Sequence, residues 1–301
     1  MNTANTALAA PQAFKPNWLV RAGWVALAAY IVYAFARLDF TWARFVTGLG
    51  NGARFIGRMF PPSIAQPDSL LKGLTESLEI AILASVLGIL IALPIGLFAA
   101  RNLMPVWASW PARAIIALAR SFHPVIVAIL FVKAVGFGAM AGILALVVAS
   151  VGFIGKLFAE AIEEISLKQV EAVRATGAPF MSLISYGVLP QVFSRFIGFA
   201  TYQLDSNLRN STMVGIVGAG GIGGTLFSAF QRFDYDFVCA ILLSIIGMIM
   251  VGEVLAGVVR GIFLERRLGI FKRFDRAPTA AGAHKPHGPK APRISSEKAD
   301  D

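Results

Sequence analysis

Six apolar runs, each long enough to cross a lipid bilayer, alternate with polar segments along this chain; they fall at about residues 18–36, 74–100, 112–135, 140–158, 188–217 and 237–263. A hydrocarbon core roughly 30 Å thick needs about 20 helical residues, and tilt absorbs a surplus. Only a helix satisfies its backbone within one segment in lipid. The pattern therefore predicts an all-α integral membrane protein of about six spans. The fifth run is too long and too polar for one straight helix. Between the first two runs the pattern changes. At ~100° per residue, Trp42, Phe45, Val46, Leu49, Ala53, Ile56 and Phe60 form one stripe, with Arg44, Asn51, Arg54 and Arg58 opposite. That is the pattern of an interfacial amphipathic helix. Four glycines in the stretch favour the alternative, a solvated loop.

Composition agrees with the hydropathy pattern. The chain is 56% hydrophobic and 15% charged, where a soluble domain carries about 25% charged residues. Its mean hydropathy is +0.69. The single Cys239 lies in an apolar run and excludes a disulfide framework, and His123, His284 and His287 have no metal-ligand spacing. No metal site is expected. The N-terminus lacks a cleavable signal pattern, so the first run reads as a retained anchor.

Lysine and arginine set the orientation. They crowd Lys15, Arg101 and Arg113, the segment from Lys156 to Arg174, and the stretch after Arg260. The opposite loops hold fewer: Arg37, Arg44, Arg54, Arg58, Lys72 and Arg232. Both termini are therefore expected in the cytoplasm. The expected organisation is a cytoplasmic N-terminus (1–17), an anchor (18–36), an outer loop (37–73), a membrane core (74–265) with a cytoplasmic loop at about 158–186, and a basic tail (266–301). The tail beyond Arg276 is rich in Pro, Ala, Gly and Lys and is expected to be disordered. A basic tail can bind nucleic acid. Attached to six spans, its charge instead fits topology and lipid headgroup contact, and no nucleic-acid partner is expected.

The cytoplasmic loop is a polar island. It carries Glu160, Glu163, Glu164, Glu171, Lys168 and Arg174, which cannot sit in hydrocarbon. Two short helices joined near Gly177-Ala178-Pro179 are expected, because Gly suits a helix end and Pro a first turn. The run Glu171-Ala172-Val173-Arg174-Ala175-Thr176-Gly177, followed by Leu189-Pro190, resembles the EAA loop of ABC importer permeases. Val173 stands where a second Ala is usual, and Gly187 where Ile is usual. The resemblance implies a coupling loop gripped by a separate ATPase through Glu171, Ala172, Arg174, Gly177, Leu189 and Pro190.

The fifth run holds Asp205, Asn207, Arg209, Asn210, Ser211 and Thr212, then a glycine run through Gly218, Gly220 and Gly221 to Gly224. Ionisable residues at membrane depth face the protein interior or water. Asp205 and Arg209 stand i, i+4 and can pair. Irregular backbone at this depth must be buried or line a cavity, so a translocation pathway is expected along Asn207, Arg209, Ser211, Thr212, Gly218, Gly220 and Gly221. Close packing of small residues at a dimer interface is the other reading of the glycines. The string from Gly218 to Gly223 is neither a phosphate loop nor a dinucleotide fingerprint, since no strand precedes it. His123 before Pro124 marks a kink, and Lys133 lies near an outer helix end.

The stretch 207–223 resembles the phosphonate importer permeases, whose transmembrane fold is like that of the methionine importer. So do Arg120-Ser121-Phe122-His123-Pro124, Gly155-Lys156-Leu157-Phe158-Ala159-Glu160, and Tyr186-Gly187-Val188-Leu189-Pro190-Gln191. The likeness covers about residues 70–265. It implies a type I importer permease in the bacterial inner membrane, acting as a homodimer with two ABC ATPase subunits and a periplasmic binding protein. The cargo implied is a phosphonate or related phosphorus oxyanion. The chain has no Walker motif, so ATP and Mg belong to the partner, and no cofactor or catalytic residue is expected here. An importer of the same architecture for methionine or phosphite is the alternative. An ion-coupled secondary transporter would show an inverted repeat, and none is visible.

Overall fold

The computed structural model describes residues 18–38 and 41–274, with residues 262–274 by backbone alone. The expected cytoplasmic N-terminus 1–17 and disordered stretch after Arg276 lie outside the described residues. Among the described residues all regular structure is helical. In chain order the helices are α1 (Trp18–Arg37), α2 (Trp42–Met59), α3 (Pro67–Ala99), α4 (Val106–Ser121), α5 (Pro124–Val135), α6 (Ala139–Glu163), α7 (Leu167–Ala175), α8 (Phe180–Ser182), α9 (Leu189–Ile216), α10 (Ile222–Gln231) and α11 (Tyr235–Phe274). A π-helical turn, Leu183–Val188, joins α8 to α9.

The centre of the bundle is the pair α3 and α6. Small residues form its seam. A Cβ placed on Gly88 would lie 2.4 Å from Ser150 Cβ, and one on Gly96 would lie 2.9 Å from Gly155 O. Backbones that close gain dispersion contacts in lipid, where no hydrophobic force acts between helices. The two helices run parallel. Their ends meet where the Arg101 N–H donates to Glu163 Oε1 at 2.8 Å, and their starts meet around Gly220, beside both Glu76 and Ala139.

That geometry decides what lies between them. The third apolar run, expected as one span with a kink, is two helices bent by 92°. Phe122 and His123 are extended ahead of Pro124. The proline ring disfavours helix at the preceding residue, and its missing N–H removes a helical bond. His123 Nδ1 accepts the Val125 N–H at 3.4 Å and caps α5, so it serves an orphan donor rather than a freed carbonyl. Since α3 and α6 end on one side and start on the other, α4 and α5 together make one broken crossing. The helices that cross are α1, α3, α4–α5, α6, α9 and α11, in keeping with five long apolar helices and one bent pair.

Two further differences from the sequence reading appear. First, the fifth run is one continuous helix to Ile216, and its break is the glycine turn after it. Second, α11 is helical to Phe274, so residues 266–274, assigned to the tail, continue the sixth span as helix. The amphipathic helix expected over residues 42–60 does form: α2 is helical in spite of Gly48, Gly50, Gly52 and Gly57, around which there is open space. Its Met59 packs on α10 and α11, and Phe55 meets Tyr235 edge-on at 5.0 Å. Trp42, Phe45, Val46, Leu49 and Ile56 stay exposed. Helix α1 buries no residue at all.

Candidate functional site

Two regions carry the candidate residues, one at each end of the bundle. The first is the loop from Glu163 to Val188. Helix α7 buries Val170 against Phe158, Ile162, Leu183, Val188 and Val192. Gly187 faces it, and a Cβ there would make ordinary contact with Val170 Cα at 3.4 Å. Glu171, Ala172 and Arg174 face outward and are exposed. Thr176 Oγ1 donates to Val173 O at 2.7 Å and closes the helix. Gly177 follows with φ +72°. Nothing lies within 4 Å of its Cβ position, so conformation alone selects glycine there.

The second short helix expected after Pro179 is not separate. Helix α8 has three residues and runs through the π turn into α9. Pro190 lacks the N–H that a regular turn would need, and the widened turn carries the chain past its ring. Leu189 and Pro190 begin α9, at the entry to the fifth span where the sequence pattern placed them.

Long-range polar links hold this loop, and sequence reasoning did not find them. Gln191 Oε1 accepts the Ser166 N–H at 3.0 Å, while its Nε2 donates to Ser166 O at 3.3 Å and Gly187 O at 2.6 Å. Arg195 pairs with Glu164, and Arg113 of α4 pairs with Glu163. The signal available was the acid pair Glu163-Glu164 at the end of an apolar helix, which demands cations from elsewhere.

The second region is the end of α9 and the glycine turn. Gly218, Gly220 and Gly221 all have positive φ. Close approach excludes side chains as well: a Cβ on Gly218 would lie 2.4 Å from Phe137, and one on Gly220 would lie 2.7 Å from Glu76 Oε1. Ser77 Oγ accepts the Ile222 N–H at 2.8 Å and caps α10. The packing of these glycines is within the subunit. The same glycines line an open cavity of 450 Å³ together with Lys72, Glu76, Phe137 and Arg232.

The remaining candidates divide by helix face. Asn207 is fully buried. Its Nδ2 donates to Ser85 Oγ and Ser150 Oγ, each at 2.9 Å, and its Oδ1 accepts from Gln203 Nε2 at 3.0 Å. Gln203 also donates to Ser150 at 2.8 Å. This network joins α3, α6 and α9 near mid-membrane. Ser211 is buried and donates to Leu208 O at 2.8 Å. Thr212 Oγ1 is buried without a partner. Arg209 lies on the other face, its side chain 59% exposed, and pairs with Asp205. The structure thus brings Asn207 and Ser211 into the subunit core, sets Arg209 outward, and places the glycines above them. Among the described residues no cluster of metal-ligating side chains occurs.

A parallel α3–α6 pair, a broken crossing and a docked loop helix define a polytopic transport subunit. A solved structure of the MetNI methionine ABC transporter, inward facing, matches it with TM-score 0.59 at 24% identity, over 67% of this chain and 99% of that chain; this shows the fold. The family described as binding-protein-dependent transport system inner membrane component matches residues 92–268, and the chain belongs to that family. It is a multi-pass inner-membrane component of a binding-protein-dependent ABC transport system. A phosphite transport system permease protein of Stutzerimonas stutzeri is 37% identical over 255 residues, which are 83% of this chain and 92% of that protein. A phosphate-import permease protein of Mycolicibacterium smegmatis is 38% identical over 236 residues, 78% of this chain and 44% of that longer protein.

Proposed function

We propose that this chain is the membrane-spanning permease subunit of an ATP-driven importer for phosphonates or related phosphorus oxyanions such as phosphite or phosphate. The observation that carries the reading is the exposed face of α7, with Glu171, Ala172 and Arg174 on a loop tied to α9 and α4. A helix held this way acts as a lever. Gln191 and Arg195 pass its motion to α9, and the Asn207 network passes it to α3 and α6. Those three helices then move as one block, as rigid-body alternating access requires.

The partner at α7 is an ABC ATPase bearing ATP and Mg, and a periplasmic binding protein delivers cargo at the opposite end. A second copy of the chain completes the pathway. The exposed Arg209 supports this, because a guanidinium at membrane depth needs water or protein rather than lipid tails. Two parallel hydrogen bonds from that group suit a phosphorus oxyanion. Asn207, Ser211 and Thr212 support the path from behind, while Gly218, Gly220 and Gly221 shape its mouth. Six crossings and the basic inner loops favour both termini in the cytoplasm. Helix α2 then lies on the outer leaflet, its arginines among headgroups.

The test is uptake into proteoliposomes holding this chain with its ATPase and binding protein. ATP-dependent accumulation of methylphosphonate, phosphite or phosphate is expected. Accumulation of methionine with none of these overturns the cargo, and uptake driven by an ion gradient without ATP overturns the class.

A further inference from the structure

At the α7 end of the bundle, between α4 and α6, lies a cavity of 450 Å³ to which neither the loop nor the glycine turn contributes. Its floor is apolar, built from Ala99, Ile116 and Ala159. Its rim is cationic, with Arg101, Arg113, Arg120 and Lys156 against the single carboxylate of Glu160. Two of those cations are neutralised inside the subunit. Arg113 pairs with Glu163 and donates from Nε to Ala99 O at 2.9 Å. Lys156 meets Glu160 at 3.4 Å. The side chains of Arg101 and Arg120 make no hydrogen bond or ion pair among the described residues. Arg120 therefore has no close acidic partner and Arg101 only a shared one, since Glu163, whose carboxylate it helps hold below the usual range, is already bonded to Arg113; both guanidinium groups rim one apolar hollow.

Depth narrows the chemistry. Lys156 stands seven residues before the end of α6, about 10 Å along the axis; with this 25-residue helix centred on a core roughly 30 Å thick its Cα lies about 6 Å inside the boundary, from where a long basic side chain reaches the headgroup level. The exposed Trp107 and Trp110 of α4 stand at the same end, and exposed tryptophans gather at that boundary. Guanidinium groups bind phosphate oxygens in a planar fork. Basic hollows between membrane helices at this level suit anionic lipid headgroups.

We infer that this cavity is a binding site for a phosphate-bearing anion, held by Arg101 and Arg120, and that its occupant in the membrane is the phosphodiester headgroup of an anionic phospholipid. The apolar floor distinguishes this occupant from a free phosphorus oxyanion, which needs donors on every side. The site is independent of the cargo proposed above.

Native mass spectrometry of the purified full chain, titrated with phosphatidylglycerol or phosphatidylethanolamine, tests it. The native chain is expected to retain phosphatidylglycerol preferentially. The double variant Arg101→Gln/Arg120→Gln is expected to bind it about thirty-fold more weakly, two charges' worth of headgroup attraction. Equal retention of both lipids, or unchanged affinity in the double variant, overturns the inference. If inorganic phosphate, but not phosphatidylglycerol, raises the thermal midpoint of the native chain and not of the variant, the lipid assignment falls and a free oxyanion takes the site. Should the double variant fail to fold, a photoreactive phosphatidylglycerol on the native chain decides. Label on residues 101–120 and 156–160 supports the site, and label confined to other segments overturns it.

Discussion

Replacing Asn207 by Leu removes the centre of the network that joins α3, α6 and α9 while keeping the branched four-atom skeleton of the side chain. Three hydrogen bonds go: those to Ser85 and Ser150, and the one from Gln203. Few groups are orphaned. Ser85 still donates to Ala81 O at 2.7 Å, and Gln203 still reaches Ser150 at 2.8 Å. The loss is therefore of bonds, without a further penalty for stranded donors. Interhelical bonds in lipid average about 0.6 kcal/mol and reach about 1.7. Two of the three are interhelical and give about 1.2 kcal/mol; the Gln203 bond lies within α9 and adds about 0.3 kcal/mol, together about 1.5 kcal/mol, roughly a twelve-fold shift of the folding equilibrium. Asn210→Leu is the comparison, since Asn210 makes one 3.4 Å contact to Ser206 within its own helix; about 0.5 kcal/mol or less is expected there. Denaturant titration in bicelles reads both. An Asn207→Leu effect no larger than that of Asn210→Leu refutes the claim that the network binds the three helices. Uptake per folded subunit is expected to fall in Asn207→Leu, because the network passes the motion of α9 to α3 and α6; full uptake per folded subunit would take the amide out of that path.

Three other outcomes are expected. Glu171→Ala leaves insertion and thermal stability unchanged, because the side chain is exposed, but lowers ATPase co-purification or uncouples hydrolysis from uptake about ten-fold; normal coupled hydrolysis removes Glu171 from the partner interface. The exchange Asp205→Arg with Arg209→Asp keeps the i, i+4 pair yet stays inactive in uptake with the protein present in the membrane, and substantial recovery would reduce Arg209 to a salt-bridge partner. In a Cys239→Ser background, Ser166→Cys, exposed beside α7, resists an impermeant thiol reagent in intact cells and reacts in inverted vesicles; ready labelling of intact cells reverses the topology.

Hydropathy carried the span count because length in lipid is a strong constraint, and the run 112–135 still crosses once in spite of its bend. The size of that bend was not legible. Pro124 marks where a helix is weak, but the angle depends on α6, which packs against both arms. Facing was legible in part. Gln203, Asn207 and Ser211 repeat every four residues, as do Asp205 and Arg209, so helical phase alone separates the two stripes. Which stripe turned inward depended on Ser85 and Ser150, more than fifty positions away. The anchoring by Gln191, Arg195 and Arg113 was invisible for the same reason. A pair between distant residues leaves no periodic trace in one sequence, whereas Gly177 and the glycine turn, which answer to local backbone conformation, could be read directly.

The isolation of α1 within this subunit has an evolutionary consequence. With no side chain buried in the bundle, natural selection acts on it inside the subunit through length and greasiness alone. The seam at Gly88, Gly96 and Gly155 has no such latitude, because a side chain added there would meet Ser150, the Gly155 carbonyl or Ile116 at 2.4, 2.9 and 3.2 Å. The two regions therefore keep different clocks. Across descendants of a common ancestor, α1 is expected to change faster than the α3–α6 seam.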